Sequence, residues 1–127
     1  MESYINTLLA SFFKVLKKYS DFNGRADRRE FWMFVLCNII VGIILSILGL
    51  FPIVGRLFKV IAIIYSLAVL VPTLAVGARR LHDTGKTALL LLLILIPGVG
   101  SIIVLVLCIP EGIHGSNEYG PDPLDEA

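Results

Sequence analysis

The sequence has few charged residues, and almost none in its middle. Charged side chains make up 17% of the 127 residues and apolar ones 57%, against about 25% and roughly 45–50% in soluble proteins. Between Phe31 and Ile109 the only carboxylate is Asp83, and no Lys or Arg follows Ile109. This composition excludes an ordinary soluble domain, because the apolar excess must face something other than water.

Histidine and cysteine are equally scarce, with two of each in the chain. Cys37 and Cys108 lie inside apolar stretches, so they provide neither a disulfide framework nor, with His82 and His114, a recognisable metal site. We therefore expect no metal and no cofactor. The basic residues alternate with acidic ones before the first apolar stretch, which is not the pattern of a nucleic-acid-binding surface.

Three apolar stretches have the length of a membrane span, at residues 31–51, 57–78 and 88–109. The first holds 21 residues without a charge, and at 1.5 Å each these rise about 31 Å, enough for a hydrocarbon core of roughly 30 Å. Pro72 should kink the second stretch. The third contains Pro97-Gly98 at its middle, which is compatible with one broken span, the favoured alternative, or with a re-entrant hairpin.

These stretches predict an all-α, polytopic membrane protein with three transmembrane helices, in which residues 1–127 form a single membrane domain. Ahead of the first span, apolar residues recur at helical spacing over residues 4–19, with lysines mostly on the other face. This pattern predicts an interfacial amphipathic helix lying on the bilayer. A polar tail, residues 110–127, follows the third span.

The distribution of Lys and Arg predicts the orientation. Six precede the first stretch, two lie around its connection to the second, three lie between the second and third, and none follows the third. The N-terminus and the Arg79 to Lys86 loop are therefore expected in the cytoplasm. With three full spans, the C-terminus would lie outside.

Three polar blocks interrupt the apolar pattern. Residues 22–32 read FNGRADRREFW, residues 79–85 read RRLHDTG, and residues 112–123 read GIHGSNEYGPDP. In this order they resemble the signature blocks of the bacterial inner-membrane family known as domain of unknown function 805, from about Tyr19 to Pro123. The resemblance implies a small multi-pass protein of the inner membrane. It implies no activity, cofactor or catalytic residue.

The first block has a structural and a binding interpretation. Asp27 and Glu30 fit a capping box, in which Asp27 accepts from free backbone amides and Glu30 reaches back. Arg25, Arg28 and Arg29 are predicted to anchor the cytoplasmic side and to contact anionic headgroups, at roughly 1 kcal/mol each near an acidic leaflet.

The second block places Arg79, Arg80, His82 and Asp83 between two spans. These four side chains either complete a helix C-terminus capped by Gly85 or bind a lipid or partner. We expect Arg79, Arg80 and Asp83 to form one charged cluster with the first block, because both blocks end on the same membrane face.

The third block is predicted to be a structured turn, with Asn117, Tyr119 and Asp122 as its candidate structural residues. The family resemblance favours docking of this turn against the other two blocks. Docking requires the tail on the cytoplasmic side, whereas the charge distribution places it outside. A re-entrant third segment would resolve this conflict.

A stripe of small residues lies within the first span. Gly42, Ser46 and Gly49 are spaced at i, i+4 and i+7, which permits close approach of another helix, within the chain or between copies. Self-association or a membrane-protein partner is therefore one expectation.

The leading functional class is a non-enzymatic membrane module that binds a protein partner or anionic phospholipid through its cytoplasmic basic surface. The runner-up is a small oligomeric transporter or channel, favoured by the broken helices at Pro72 and Pro97-Gly98. An enzyme acting on lipid headgroups is the least favoured, because such chemistry usually needs several carboxylates or a metal cluster.

Overall fold

The computed structural model describes residues 2–126, which form four α-helices and two 3-10 helices and contain no β-strand. The all-α prediction is confirmed. In chain order the elements are α1 (Glu2–Lys17), α2 (Arg28–Leu48), α3 (Gly55–Asp83), a 3-10 helix (Ala88–Leu95), α4 (Val99–Leu107) and a terminal 3-10 helix (Pro123–Glu126).

α2 and α3 are antiparallel neighbours joined by a short turn. At the turn the backbones touch, since a Cβ built on Gly55 would lie 2.5 Å from the carbonyl oxygen of Gly49. At the other end Glu30 of α2 pairs with Arg79 of α3. The helices have 21 and 29 residues, or about 31 and 43 Å, and both are long and apolar enough to cross a membrane.

The buried part of the protein lies at one end of this pair. Around the middle of the helices, apolar side chains such as Ile43, Ile47, Ile63 and Leu67 are more than half exposed. By contrast every residue from Ala75 to Asp83, the last turns of α3, is buried. The exposed middle suits a hydrocarbon environment, and the protein core surrounds the C-terminal end of α3.

α1 covers one side of that core. Ser11 and Val15 are buried, and the ring of Phe12 stacks on Phe34 of α2 with centroids 5.5 Å apart. Tyr4 and Phe13, on other sides of the helix, are exposed. The helix predicted over residues 4–19 is thus present over 2–17, and its position on a bilayer surface stays a prediction.

The third apolar stretch is a helical hairpin, so the predicted transmembrane helix over residues 88–109 is not confirmed. Its two arms have 8 and 9 residues, which rise about 16 Å as a 3-10 helix and about 14 Å as an α-helix. Each is too short for a core of roughly 30 Å. The chain reverses at Pro97, which has no amide to donate, and at Gly98, whose φ of 74° is left-handed.

Both ends of the hairpin lie beside the end of α3. At its start the amide of Lys86 donates to the carbonyl of Leu81 at 2.8 Å. At its end the carbonyl of Cys108 accepts from Nε of Arg80 at 3.0 Å. The tail therefore begins at the same end of the molecule as the loop after α3.

The small-residue stripe of α2 does not form the predicted contact along its length. A Cβ on Gly42 would meet nothing within 4 Å, and Ser46 is exposed, because a groove separates α2 from α3 at this level. Only Gly49, beside Gly55 and the Lys59 side chain, lies against another part of the chain. Contact between copies stays a prediction.

The two arms of the hairpin touch at one glycine, which makes a stability prediction possible. A Cβ on Gly100 would lie 1.5 Å from the carbonyl oxygen of Leu93, so Gly100→Ala must push the arms apart. We expect a loss of about 1–3 kcal/mol of stability, typical of overpacking, seen as a lower thermal unfolding midpoint in detergent. Ser101→Ala, at an exposed position of the same helix, is the control. Equal midpoints for parent and Gly100→Ala would contradict the hairpin.

Candidate functional site

The three polar blocks meet at the buried end of the helix pair. The amide of Ala26 donates to the carbonyl of Arg79 at 2.9 Å, and the amide of Ile113 donates to the carbonyl of Asp83 at 2.7 Å. The second block thus holds the first block on one side and the tail on the other. We call this meeting point the motif junction.

The first block begins α2 through half of the predicted capping box. The Asp27 carboxylate accepts from the amide of Glu30 at 2.7 Å, which satisfies a free amide of the helix N-terminus. The Glu30 side chain does not reach back, so that part of the prediction is wrong. It instead pairs with Arg79 and with Lys14 of α1 at 3.3 Å, because a buried cation attracts it more strongly than a backbone amide does.

Arg25 joins the first block to the other two. It is buried, and its Nε donates to Asp83 Oδ1 at 2.9 Å. Its terminal nitrogens donate to three tail carbonyls, those of Gly115 at 2.6 Å, Gly120 at 3.2 Å and Ile113. The prediction of a surface anchor is wrong for Arg25, because the tail supplies enough acceptors to bury its guanidinium.

Arg80 occupies the centre of the motif junction and is fully buried. It donates to the other carboxylate oxygen of Asp83 at 2.6 Å and to the carbonyl of Ala26 at 3.2 Å. The carbonyls of Cys108 and Pro110, just beyond α4, complete its contacts. A helix C-terminus is the negative end of the helix dipole, so α4 is well placed to stabilise a buried cation.

Arg79 joins the first block to the core of the bundle. It pairs with Glu30 and donates from Nε to the carbonyl of Asp21 at 3.1 Å. Its other terminal nitrogen is buried without a hydrogen-bond partner among residues 2–126. The predicted charged cluster of Arg79, Arg80 and Asp83 with the first block is therefore present, with Arg25 as an additional member.

His82 and the tail turn form a separate contact. Nδ1 of His82 lies 2.9 Å from the carbonyl of Gly24, so this nitrogen must carry the proton. The ring stacks on Tyr119 with centroids 4.1 Å apart and planes within 4°. The Asn117 side chain donates to the His82 carbonyl at 3.0 Å. The predicted turn is confirmed, and it docks on the second block.

Asp122 stabilises the tail itself. Its carboxylate accepts from the amides of Gly115 at 2.9 Å and Leu124 at 3.0 Å, and these hydrogen bonds lower the pKa of Asp122. Because the pKa is lowered, the Asp122 carboxylate stabilises the tail fully at pH values above its ordinary pKa near 3.9. This contribution is lost as the pH falls through the lowered pKa. The contribution of Asp122 to the tail turn is therefore fully present across the neutral range.

A close approach explains one glycine of the tail. A Cβ on Gly112 would lie 1.9 Å from Asp83 Oδ2, inside the space that the carboxylate occupies. Position 112 therefore accepts only glycine while Asp83 is paired. The sequence contained no signal for this, because a glycine in a polar tail is also typical of a flexible turn.

Only two of the seven candidate binding residues are exposed. Arg28 and Arg29 lie at the surface, on a small cleft of about 310 Å³ between the start of α2 and the tail. Lys14 and Lys17 of α1 are also exposed. We call these four residues the basic face. The other candidates, Arg25, Arg79, Arg80, His82 and Asp83, are buried and bonded within the chain.

Among the described residues, no three His, Cys, Asp or Glu side chains lie close enough to hold a metal ion.

Trp32 of α2 contacts the residue that follows α4, where its indole donates to the carbonyl of Cys108 at 3.3 Å.

The comparisons with known proteins define the class of this chain. A family model described as "Protein of unknown function (DUF805)" matches residues 19–121, a segment that holds the first two blocks and residues 112–121 of the third. The chain belongs to this family. No solved structure matches it.

Two curated relatives from Escherichia coli strain K12 carry names that state their location. Inner membrane protein YhaI is 44% identical over 112 residues, which cover 88% of this chain and 93% of the relative. Inner membrane protein YhaH is 43% identical over 116 residues, which cover 88% and 94%. The two long apolar helices fit the membrane location that these names state.

Because Arg80 is fully buried and paired, we expect its substitution to lower the stability of the protein. Arg80→Ala removes one partner of a buried pair, which costs about 3–5 kcal/mol, and leaves the carbonyls beyond α4 without a donor. Arg80→Lys keeps the charge but not the guanidinium fork, so we expect it to be destabilised as well. Thermal unfolding in detergent measures both.

Arg29→Ala and Arg29→Lys are the matched controls, because Arg29 is an exposed arginine of the first block and lies beside the motif junction. Surface changes of this kind usually alter stability by less than about 0.5 kcal/mol. An Arg80→Lys protein as stable as the Arg29 controls would mean that a point charge suffices and that the forked contacts carry little stability.

Proposed function

We propose that this chain is a non-enzymatic module of the inner membrane whose basic face binds anionic phospholipid headgroups on the cytoplasmic side. One observation carries the proposal. The arginines of the first two blocks divide into a buried set, Arg25, Arg79 and Arg80, which pair with carboxylates of the chain, and an exposed pair, Arg28 and Arg29.

The proposed topology follows from the same contacts and from the charge distribution. α2 and α3 would span the bilayer, and the hairpin of residues 88–107 would enter it and return. Blocks joined by buried ion pairs must lie on one face of a membrane, and the Lys and Arg of the first two blocks favour the cytoplasm. The tail would then be cytoplasmic as well, despite having no Lys or Arg.

The position of the exposed arginines supports a lipid headgroup as the ligand. The uncharged stretch of α2 starts at Phe31, so Arg28 and Arg29 lie within one turn of the hydrocarbon boundary. At that depth each Lys or Arg is worth about 1 kcal/mol toward an anionic leaflet. Lys14 and Lys17 of α1 add exposed positive charge near the same end of α2, since Lys14 pairs with Glu30 at 3.3 Å.

The alternatives receive less support from the side chains. A transporter for ions or polar solutes needs polar or charged groups directed into its pathway, whereas the groove between the helices is lined by uncharged residues. A protein partner with an acidic segment would use the same basic face. That possibility is an outcome of the experiment below.

Trp32 provides an internal probe, because it is the only tryptophan of the chain and follows the two arginines by one turn. Quenching of its fluorescence by brominated phosphatidylglycerol and by brominated phosphatidylcholine, in reconstituted vesicles, measures which lipid collects there. We expect a preference for phosphatidylglycerol. Arg28→Gln with Arg29→Gln should reduce it at least fivefold, as expected from about 1 kcal/mol per charge.

The double variant Arg56→Gln, Lys59→Gln is the matched control, because it removes two charges from the opposite end of the helix pair. It should leave the preference unchanged. Equal quenching by both lipids in the parent would refute lipid selection by the basic face, and the protein-partner alternative would then be favoured.

A further inference from the structure

An apolar groove runs along the helix pair and lies almost entirely outside the three blocks. It has a volume of about 540 Å³ and lies between α2, α3 and the hairpin. On α2 it extends from Phe31 to Leu45, and on α3 from Gly77 back to Ala62. The 14 residue-to-residue steps from Phe31 to Leu45 rise about 21 Å, so the groove is long and parallel to the helix axes.

Most of the polar side chains that line the groove donate hydrogen bonds within the chain. Asn38 donates to the carbonyl of Phe34 at 3.0 Å and accepts from the hydroxyl of Tyr65 at 2.6 Å. Ser66 and Thr73 donate to the carbonyls four residues earlier, at 2.8 and 2.6 Å. The groove therefore presents mainly hydrocarbon, which suits an apolar chain better than a polar solute.

One end of the groove lies close to an exposed arginine. The α2 residues Phe31, Asn38, Gly42 and Leu45 line the groove, and Arg28, three residues before Phe31, is a neighbour of Phe31 on the helix surface. A molecule in the groove would thus meet positive charge at one end. We propose that the groove holds one acyl chain of an anionic phospholipid whose phosphate lies at Arg28.

A second copy of the chain is the alternative occupant, and the labelling experiment below tests it. A single acyl chain is thin enough to enter and is supplied by the surrounding bilayer. The contact of the lipid phosphate with Arg28 rests on the proposed function, whereas the binding of an acyl chain in the groove rests on the groove alone.

The first experiment fills the groove. Gly42→Leu places its side chain where a Cβ meets nothing within 4 Å, so the protein should fold. Ser46→Leu, one turn later and outside the groove lining, is the matched control. Parent, Gly42→Leu and control are reconstituted in vesicles of equal parts phosphatidylglycerol and phosphatidylcholine, extracted, and examined by native mass spectrometry.

We expect the parent and Ser46→Leu to retain one phospholipid. In Gly42→Leu the fraction of protein that carries a phospholipid should fall at least fivefold. Unchanged retention in Gly42→Leu would overturn the proposal. Arg28→Gln distinguishes the acyl-chain site from the phosphate contact. If this variant retains a phospholipid but loses the preference for phosphatidylglycerol, both the acyl-chain site and the contact at Arg28 are supported. If it retains a phospholipid with unchanged preference, the acyl-chain site stands and the contact of the phosphate with Arg28 is refuted.

The second experiment uses the unsubstituted chain. Phosphatidylglycerol with a photoreactive diazirine in its acyl chain should label groove residues such as Asn38 and Tyr65 more strongly than the outward-facing Ile43. Equal labelling on all faces, or a cross-linked dimer with the groove buried between copies, would overturn the proposal.

Discussion

The carboxylate of Asp83 is the group on which the rest of this structure depends. Arg25 binds one of its oxygens and Arg80 the other, and each arginine then extends to backbone carbonyls elsewhere. A buried carboxylate with two guanidinium partners is stable only when all three groups are in place, since removal of one leaves an uncompensated charge. The first block, the end of α3, the end of α4 and the tail are therefore held as a unit.

This constraint explains why the third apolar stretch does not continue as a straight helix. The carbonyls that follow α4 must reach Arg80 at the end of α3, and the stretch starts beside that same end. A chain that leaves and returns to one point must reverse, and Pro97-Gly98 provides the place. The tail then lies where Arg25 needs acceptors, and Gly112 allows the close approach to Asp83. Arg25 and Arg80 are buried because Asp83 and these backbone carbonyls bind them, whereas Arg28 and Arg29 make none of these contacts and stay exposed.

The architecture could be predicted only as far as local patterns determine it. Apolar length located α2 and α3, and the Asp27 cap was evident from its residue type and spacing. The burial of Arg25 was not evident, because its acceptors come from a tail about 90 positions later. The Pro97-Gly98 pattern fits a kinked span as well as a hairpin, and long-range contacts separate them: those of Arg80 with the end of α4 and that of Gly100 with Leu93. Within the chain Gly42 makes no helix contact, because small residues permit a close helix but do not require one, and its contact between copies stays a prediction.

The most direct test is the membrane side of the tail. Blocks joined through Asp83 must share one face, so reporters fused after Ala127 and inserted at Thr84 should give the same reading. We expect green fluorescent protein to be fluorescent and alkaline phosphatase to be inactive at both positions, as in the cytoplasm. Active phosphatase after Ala127 with a cytoplasmic reading at Thr84 would place the tail across the membrane from its partners and would contradict the shared Asp83 junction.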